Sequence, residues 1–234
     1  MLRSSADPAS AADLSRALVW FSPTFPTGAF GFSHGLEWAV EVGDVCDRAS
    51  LADWLGLVLR HGGGWSDAVL LAAAHRAAVG GDEAGLREVA ELATALQPSR
   101  ERRLESTVQG EAFLKAVETG WPNEAVAFLR GFGEQPVALP VAAGTAAAGA
   151  GISLDVSLAA SLTGLCANLV SAAIRLAPIG QSDGLRVLAA LEPTVASIAG
   201  RAAASTLADA GTSAMRSDIA SMRHETQTTR LFRS

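Results

Sequence analysis

The spacing of apolar positions along the chain predicts helices almost throughout. The clearest apolar face has side chains at i, i+3, i+4, i+7 and i+8, and consists of Leu51, Trp54, Leu55, Val58 and Leu59. We expect Ser50 to cap this helix at its N-terminus, and the three glycines at 62–64 to end it.

The same periodicity predicts further helices over residues 66–79, 83–96, 100–120, 123–131, 136–150, 155–176, 182–192 and 194–210. We place a break at Pro193 because proline removes a backbone donor from a helix interior. Residues 155–176 carry a stripe of leucines and a second stripe of small and polar residues that ends in Arg175. No segment alternates with period two, so the pattern predicts one all-α domain, a bundle of about nine or ten helices.

Composition excludes several classes of protein. Of the 234 residues, 49% are hydrophobic, which is enough for a real core, and the formal net charge of -6 argues against nucleic acid and anionic membranes as partners. The two cysteines are far apart in sequence, which argues against a zinc module and a disulfide framework. The first ten residues contain no apolar signal core, and the apolar stretch near residue 165 is interrupted by polar side chains. We therefore expect a cytoplasmic protein without a membrane span.

A short motif around Ser33 raises the possibility of a serine hydrolase. Residues 31–35 (GFSHG) match the G-x-S-x-G nucleophile elbow, in which a strand-to-helix turn exposes the serine. Here Pro23 and Pro26 precede the motif, and prolines do not fit a central strand. The glycine spacing over residues 144–151 resembles a P-loop, but the lysine and hydroxyl that contact phosphate and magnesium are missing.

Metal binding is a second alternative. His224 and Glu225 begin like H-E-x-x-H, but Thr228 stands where the second histidine should be. The four histidines are scattered, so the sequence shows no metal site, although a nickel carrier that uses His34 or His224 stays open.

The C-terminal segment, residues 215–234, differs from the rest of the chain. Residues 216–233 contain four arginines and two acids, a net charge of +2 on an otherwise acidic protein. One interpretation is a solvated, frayed terminus. The other is a flexible docking peptide, in which arginines pair with a partner's carboxylates and apolar side chains act as anchors. We treat residues 1–214 as the helical domain and expect the fold to survive removal of residues 215–234.

Three longer motifs resemble the urease accessory protein family UreF. Residues 26–37 (PTGAFGFSHGLE) resemble its N-terminal signature, and residues 178–184 (PIGQSDG) resemble its second. The stretches 222–227 (MRHETQ) and 230–234 (RLFRS) resemble its third. The chain departs from the family pattern in the first signature, where an aliphatic residue and proline are more common at residues 25–27 and a tyrosine near Phe32. Near the second signature, Leu185 replaces a usual glutamine and Arg175 a common lysine.

This resemblance implies an all-helical cytoplasmic maturation factor without catalytic activity. Members of the family form homodimers, bind UreD (also called UreH), and with it recruit the GTPase UreG to apo-urease for nickel insertion. The resemblance also implies that UreF acts on the nucleotide cycle of UreG. Nickel and GTP then belong to the assembly, and the chain itself is expected to hold no cofactor.

The resemblance also implies partner-binding residues. Those in the first two signatures, which we assign to the dimer and the surface facing UreG, are Gly28, Phe30, Ser33, His34, Glu37, Arg175, Gln181 and Asp183. Those in the C-terminal segment, which we assign to UreD/UreH, are Arg223, His224, Glu225, Arg230, Phe232 and Arg233.

Overall fold

The computed structural model describes residues 11–133 and 135–234. Residues 1–10, where the sequence shows no apolar signal core, and Glu134 lie outside the described residues. Within the described part, the chain forms eleven α-helices and two short 3₁₀ turns, and it contains no strand. The prediction of a single all-α domain is confirmed, with slightly more helices than the nine or ten expected.

The helices follow one another with short connections. The first five are α1 (Ala11–Trp20), α2 (Leu36–Glu41), α3 (Arg48–His61), α4 (Gly63–Gly80) and α5 (Glu83–Ala95). The next six are α6 (Arg100–Gly120), α7 (Glu124–Arg130), α8 (Leu139–Gly149), α9 (Leu154–Leu176), α10 (Gln181–Ala203) and α11 (Met215–His224). The 3₁₀ turns are Ala29–Gly31, just before α2, and Leu207–Asp209, between α10 and α11.

The core forms where α4, α8 and α9 meet. Helix α8 consists almost entirely of small apolar residues and packs against α4 on one side and α6 on another. Gly144 permits this close approach, because a Cβ there would lie 2.4 Å from the Leu71 carbonyl oxygen. Leu158, Leu162 and Leu169 of the predicted leucine stripe are buried in α9. These contacts explain why the alanine-rich sequence folds into a tightly packed bundle.

Helix α9 is the one helix of the described residues whose length and composition would allow it to cross a membrane. Half of its most apolar 18-residue window is buried inside the protein. The central helix of a water-soluble bundle has the same properties, which agrees with its position in the core.

Several helix boundaries differ from the prediction. Helix α4 begins at Gly63, inside the glycines expected to end α3, and α10 ends at Ala203 instead of continuing to residue 210. The cap of α3 is Asp47 rather than Ser50, and the two residues form a reciprocal capping box. Residues 181–203 form one helix that continues through Pro193, where we had expected a break. Proline frees the carbonyl of the residue four positions earlier, Ala189, and both residues are exposed, so water can satisfy that oxygen.

The expectation of a flexible C-terminal segment is wrong for this structure. Helix α11 packs against α2 and α6, and the chain after it continues along the same surface. Phe232 joins the hydrophobic core with 3% of its surface exposed, and Ser234 is fully buried. Of its arginines, Arg230 pairs with the buried Glu101, a tertiary contact that composition alone does not show.

Candidate functional site

A turn in the left-handed region brings the first signature against α11. His34 has φ = 57° and Gly35 has φ = 76°, and helix α2 begins directly afterwards. A Cβ at Gly35 would lie 2.6 Å from the Ser221 backbone nitrogen, so only glycine fits between the turn and α11. The glycine therefore allows two segments far apart in sequence to touch.

Glu37, in the first turn of α2, holds the C-terminal segment. Its Oε1 accepts a hydrogen bond from the Leu231 backbone N–H at 2.6 Å, and its Oε2 accepts one from the Phe232 N–H at 2.9 Å. The same Oε2 lies 3.1 Å from Nε2 of His224. Because Glu37 is buried, these three contacts replace the water that would otherwise solvate its carboxylate.

A second glutamate, Glu101 near the start of α6, completes the surroundings of His224. Its Oε2 lies 2.6 Å from Nδ1 of His224, and its Oε1 accepts a hydrogen bond from Nη1 of Arg230 at 2.7 Å. Glu225 also contacts this end of α6, where its carboxylate accepts a hydrogen bond from the Arg100 N–H at 2.7 Å. An acidic group is favourable at a helix N-terminus because the first N–H groups there have no helical partners.

The third glutamate, Glu105, lies one turn further along α6. Its carboxylate is 2.7 Å from Nε2 of His34 and 2.5 Å from Nη1 of Arg102, and it accepts a hydrogen bond from the Ser234 hydroxyl at 2.6 Å. Burial opposes ionisation of Glu105, but the charges of Arg102 and His34 and the hydrogen bonds from His34 and Ser234 outweigh it and lower the pKa to about 2. We call Glu37, Glu101 and Glu105 the three-glutamate cluster.

Arg175, at the end of α9, contacts both the first and the third signature. Its Nη2 donates a hydrogen bond to the Phe30 carbonyl oxygen at 2.6 Å, and its guanidinium lies 4.2 Å from the centre of the Phe232 ring. The Arg233 backbone N–H donates to the Gly31 carbonyl oxygen at 2.9 Å, which fixes the C-terminal segment to the 3₁₀ turn. A cation over an aromatic face is favourable, so Arg175 stabilises the packed position of Phe232.

The structure separates the predicted site residues into two groups. Those in or next to the cluster and largely buried are Ser33, His34, Glu37, His224 and Phe232. Gln181 and Asp183, from the second signature, lie apart, and Asp183 pairs with Arg186 at 2.9 Å and Arg48 at 3.9 Å. Those at the surface, fully or in part, are Gly28, Phe30, Arg175, Gln181, Asp183, Arg223, Glu225, Arg230 and Arg233.

Sequence reasoning missed the acidic residues of α6. Glu101 and Glu105 look like part of a charged, solvated helix start, but they lie on the same face as Phe113, at intervals of four residues. Extending this four-residue spacing from Phe113 toward the start of α6 would have indicated that both carboxylates face the core.

The Ser33 environment differs from that of a hydrolase nucleophile. Ser33 is fully buried, its hydroxyl donates to the Ser234 carbonyl oxygen, and it accepts a hydrogen bond from the Glu37 N–H at 3.3 Å. The neighbouring His34 turns to Glu105 instead of acting as a base for Ser33.

In the part of the chain described, no group of three or more histidine, cysteine or acidic side chains is arranged to hold a metal ion.

Beside the cluster, the C-terminal segment exposes several large apolar side chains. Three side chains on α11 follow one another at i, i+4 and i+7: Met215, Ile219 and Met222, exposed by 72%, 49% and 48%. Leu231, 62% exposed, adds a fourth apolar side chain. Arg223, Arg230 and Arg233 are exposed in the same segment. We call this surface, the four apolar side chains with their arginines, the C-terminal face.

The fold and site thus define a helical protein whose buried glutamates hold a basic C-terminal segment, which presents an exposed apolar face. A family model described as UreF matches residues 45–192. The chain belongs to the UreF family of urease accessory proteins.

Curated relatives match over nearly the whole chain. "Urease accessory protein UreF" of Rhodopseudomonas palustris strain HaA2 is 50% identical over 237 residues and covers all of both chains. The protein of the same name from strain BisB5 is 51% identical over 98% of this chain and 96% of its own. The one from Bradyrhizobium diazoefficiens is 47% identical over 242 residues, again all of both chains. The similarity therefore includes the first signature and the C-terminal segment, which lie outside the family-model match.

Proposed function

We propose that this chain is a non-enzymatic scaffold for urease maturation in the cytoplasm. Together with UreD/UreH it recruits the GTPase UreG and regulates it during nickel insertion into apo-urease. The names of the relatives, "Urease accessory protein UreF", support the general role. Nickel and GTP belong to the assembly in this proposal, and the chain binds neither as its own cofactor.

The C-terminal face is the observation that carries the proposal. Met215, Ile219 and Met222 form an exposed stripe at i, i+4 and i+7 on α11. Exposed apolar stripes with arginines beside them are typical of protein interfaces, where the apolar side chains act as anchors. We assign this face to UreD/UreH.

The buried site residues have a different role in this proposal. Glu37, His34 and His224 cannot touch a partner directly while the C-terminal segment covers them, so they position that segment. Arg175 acts in the same way through Phe232. Phe30, 69% exposed beside Arg175, and the exposed Gln181 are available for the homodimer or for UreG.

Co-purification tests the assignment of the C-terminal face. We would co-express the chain with UreD/UreH and UreG, and compare the wild type with the double variant Ile219→Asp/Met222→Asp. Both side chains are about half exposed, so the variant should fold while losing UreD/UreH and, with it, UreG. Leu18→Asp is the matched control, because Leu18 is 74% exposed on α1, which packs against α9.

Retention of UreD/UreH by the double variant would contradict the assignment of the face. Failure of the wild-type chain to bind either protein would contradict the scaffold function itself. Labelling by a serine-directed probe that disappears in Ser33→Ala would instead favour a hydrolase. Stoichiometric nickel binding that is lost on substitution of His34 and His224 would favour a nickel carrier.

A further inference from the structure

His224 lies between two carboxylates, and its protonation state determines how many of its contacts can form. The ring is fully buried, with Nδ1 2.6 Å from Oε2 of Glu101 and Nε2 3.1 Å from Oε2 of Glu37. A neutral imidazole has one N–H donor and one lone pair. An ionised carboxylate only accepts hydrogen bonds, so a neutral ring would point its lone pair at one of the two glutamates. With both carboxylates ionised, both contacts are hydrogen bonds only when both ring nitrogens carry a proton.

The charges that face His224 lead to the same conclusion. Helix α2 contributes Glu37, helix α6 contributes Glu101, and residues 225–234 contribute Arg230, which pairs with Glu101 at 2.7 Å. These three groups sum to one negative charge around a ring that no water reaches. An uncompensated buried charge is costly, and an imidazolium at His224 removes it.

The groups behind this first layer are already paired with one another. Glu105 of α6 has Arg102 at 2.5 Å and His34, from the turn before α2, at 2.7 Å. Asp67 of α4 lies 3.9 Å from Arg102. Glu225, which follows His224, caps the start of α6 through the Arg100 N–H. None of these groups supplies the missing positive charge to the pair of Glu37 and Glu101.

We propose that His224 is a doubly protonated bridge between Glu37 and Glu101, and that this proton positions residues 225–234 on the body of the protein. The same Glu37 carboxylate accepts the backbone N–H groups of Leu231 and Phe232, so the bridge and the segment share one acceptor. Loss of the proton would turn a lone pair toward a carboxylate and release the segment from α2 or α6. If the proposed function also holds, the proton controls assembly of the C-terminal face, because Leu231 and Arg230 lie in residues 225–234 and are also part of that face.

Nitrogen NMR of the histidine side chains in the full chain measures the protonation directly. The chain has only four histidines, and the spectrum of His224→Gln identifies the signals of residue 224. We expect both ring nitrogens of His224 to show imidazolium shifts at about pH 7.5, where a solvent-exposed histidine is neutral. A neutral tautomer of His224 at that pH in the folded chain would overturn the proposal.

Trypsin cleavage after Arg230 measures release of the segment. We expect His224→Gln to increase cleavage roughly tenfold or more, since it removes a charge-assisted hydrogen bond. His61→Gln, which changes an exposed histidine, should leave cleavage unchanged. In the wild type, cleavage relative to a free peptide of the same sequence should rise with pH above neutrality, because the proton leaves the bridge.

The pH profile separates a proton bridge from a merely structural role. In His224→Gln the rise with pH should disappear, since the titrating group is gone. An equal rise of cleavage with pH in the wild type and in His224→Gln would overturn the proposal. So would wild-type cleavage that, relative to the free peptide, stays constant with pH until the protein unfolds. If His224→Gln does not fold, the NMR spectrum and the pH profile of the wild type decide. The NMR and cleavage measurements both use the chain without partners. An imidazolium at His224 in a chain that fails to bind UreD/UreH would therefore contradict only the proposed function.

Discussion

The carboxylate of Glu37 lies 3.1 Å from Nε2 of His224, although 187 positions separate the two residues in the chain. This contact joins the first signature to the third, and Glu101 extends it to α6. The consequence is that the C-terminal segment is part of the folded body and depends on charged contacts for its place.

Replacing Glu37 by glutamine should destabilise the protein. Glutamine keeps one acceptor oxygen but loses the charge that the N–H groups of Leu231 and Phe232 share, so we expect the free energy of unfolding to fall by about 2 kcal/mol. Urea denaturation followed by circular dichroism measures the change. Glu41→Gln is the control, because Glu41 is exposed on the same helix and should change the free energy by less than about 0.5 kcal/mol. Equal effects of the two variants would show that the buried contacts of Glu37 contribute nothing.

Alanine at Gly35 should be more harmful than alanine at Gly28. Both glycines have positive φ, 76° and 74°, so each substitution costs about 1–2 kcal/mol of backbone strain. Only at Gly35 would the new Cβ collide with the Ser221 backbone, which adds about 1–3 kcal/mol of overpacking. Thermal denaturation of the two variants separates strain from collision. Similar melting temperatures would mean that α11 moves away at no cost.

Two adjacent residues should separate stability from partner binding. Phe232 is 3% exposed and Leu231 is 62% exposed. Phe232→Ala should lower the free energy of unfolding by about 3–5 kcal/mol, as large-to-small changes in a core do. Leu231→Ala should leave it within about 0.5 kcal/mol and weaken retention of UreD/UreH in co-purification. A Leu231→Ala variant that binds normally would remove this residue from the C-terminal face.

Acid should weaken the fold through Glu105. Its pKa is lowered from the ordinary value of 4.5 to about 2, so the folded state binds the proton less readily than the unfolded state. The stabilisation is therefore complete above about pH 4.5 and is lost as the pH falls toward 2. A shift of this size corresponds to about 3 kcal/mol.

Denaturation curves of the wild type and Glu105→Gln between about pH 5 and pH 3 measure this contribution. We expect the variant to be less stable at pH 5 and to lose less of its stability on acidification. Parallel losses in both proteins would assign the acid sensitivity to other carboxylates.

Much of the helical architecture could be predicted from the sequence. The stripe in α3 and the whole of α6, residues 100–120, appear where apolar periodicity places them. Pro193 misled the prediction because helix propensity describes an isolated segment, whereas here the free carbonyl is exposed and α10 packs on α9, α3 and α4. Glu101 and Glu105 were missed because a charged residue is normally placed in solvent unless its partner is known.

The sequence by itself determined the helices, the family and the three signatures, because periodicity, capping and motif spacing are local properties of the chain. Only the tertiary structure decided that the basic C-terminal segment lies on buried glutamates instead of extending into solvent. The physical reason is that a charge is stable in a protein interior only where counter-charges or hydrogen-bond donors replace water. Glu101 has Arg230 and Glu37 has the N–H groups of Leu231 and Phe232, which are distant in sequence and come close only when α2, α6 and α11 pack together.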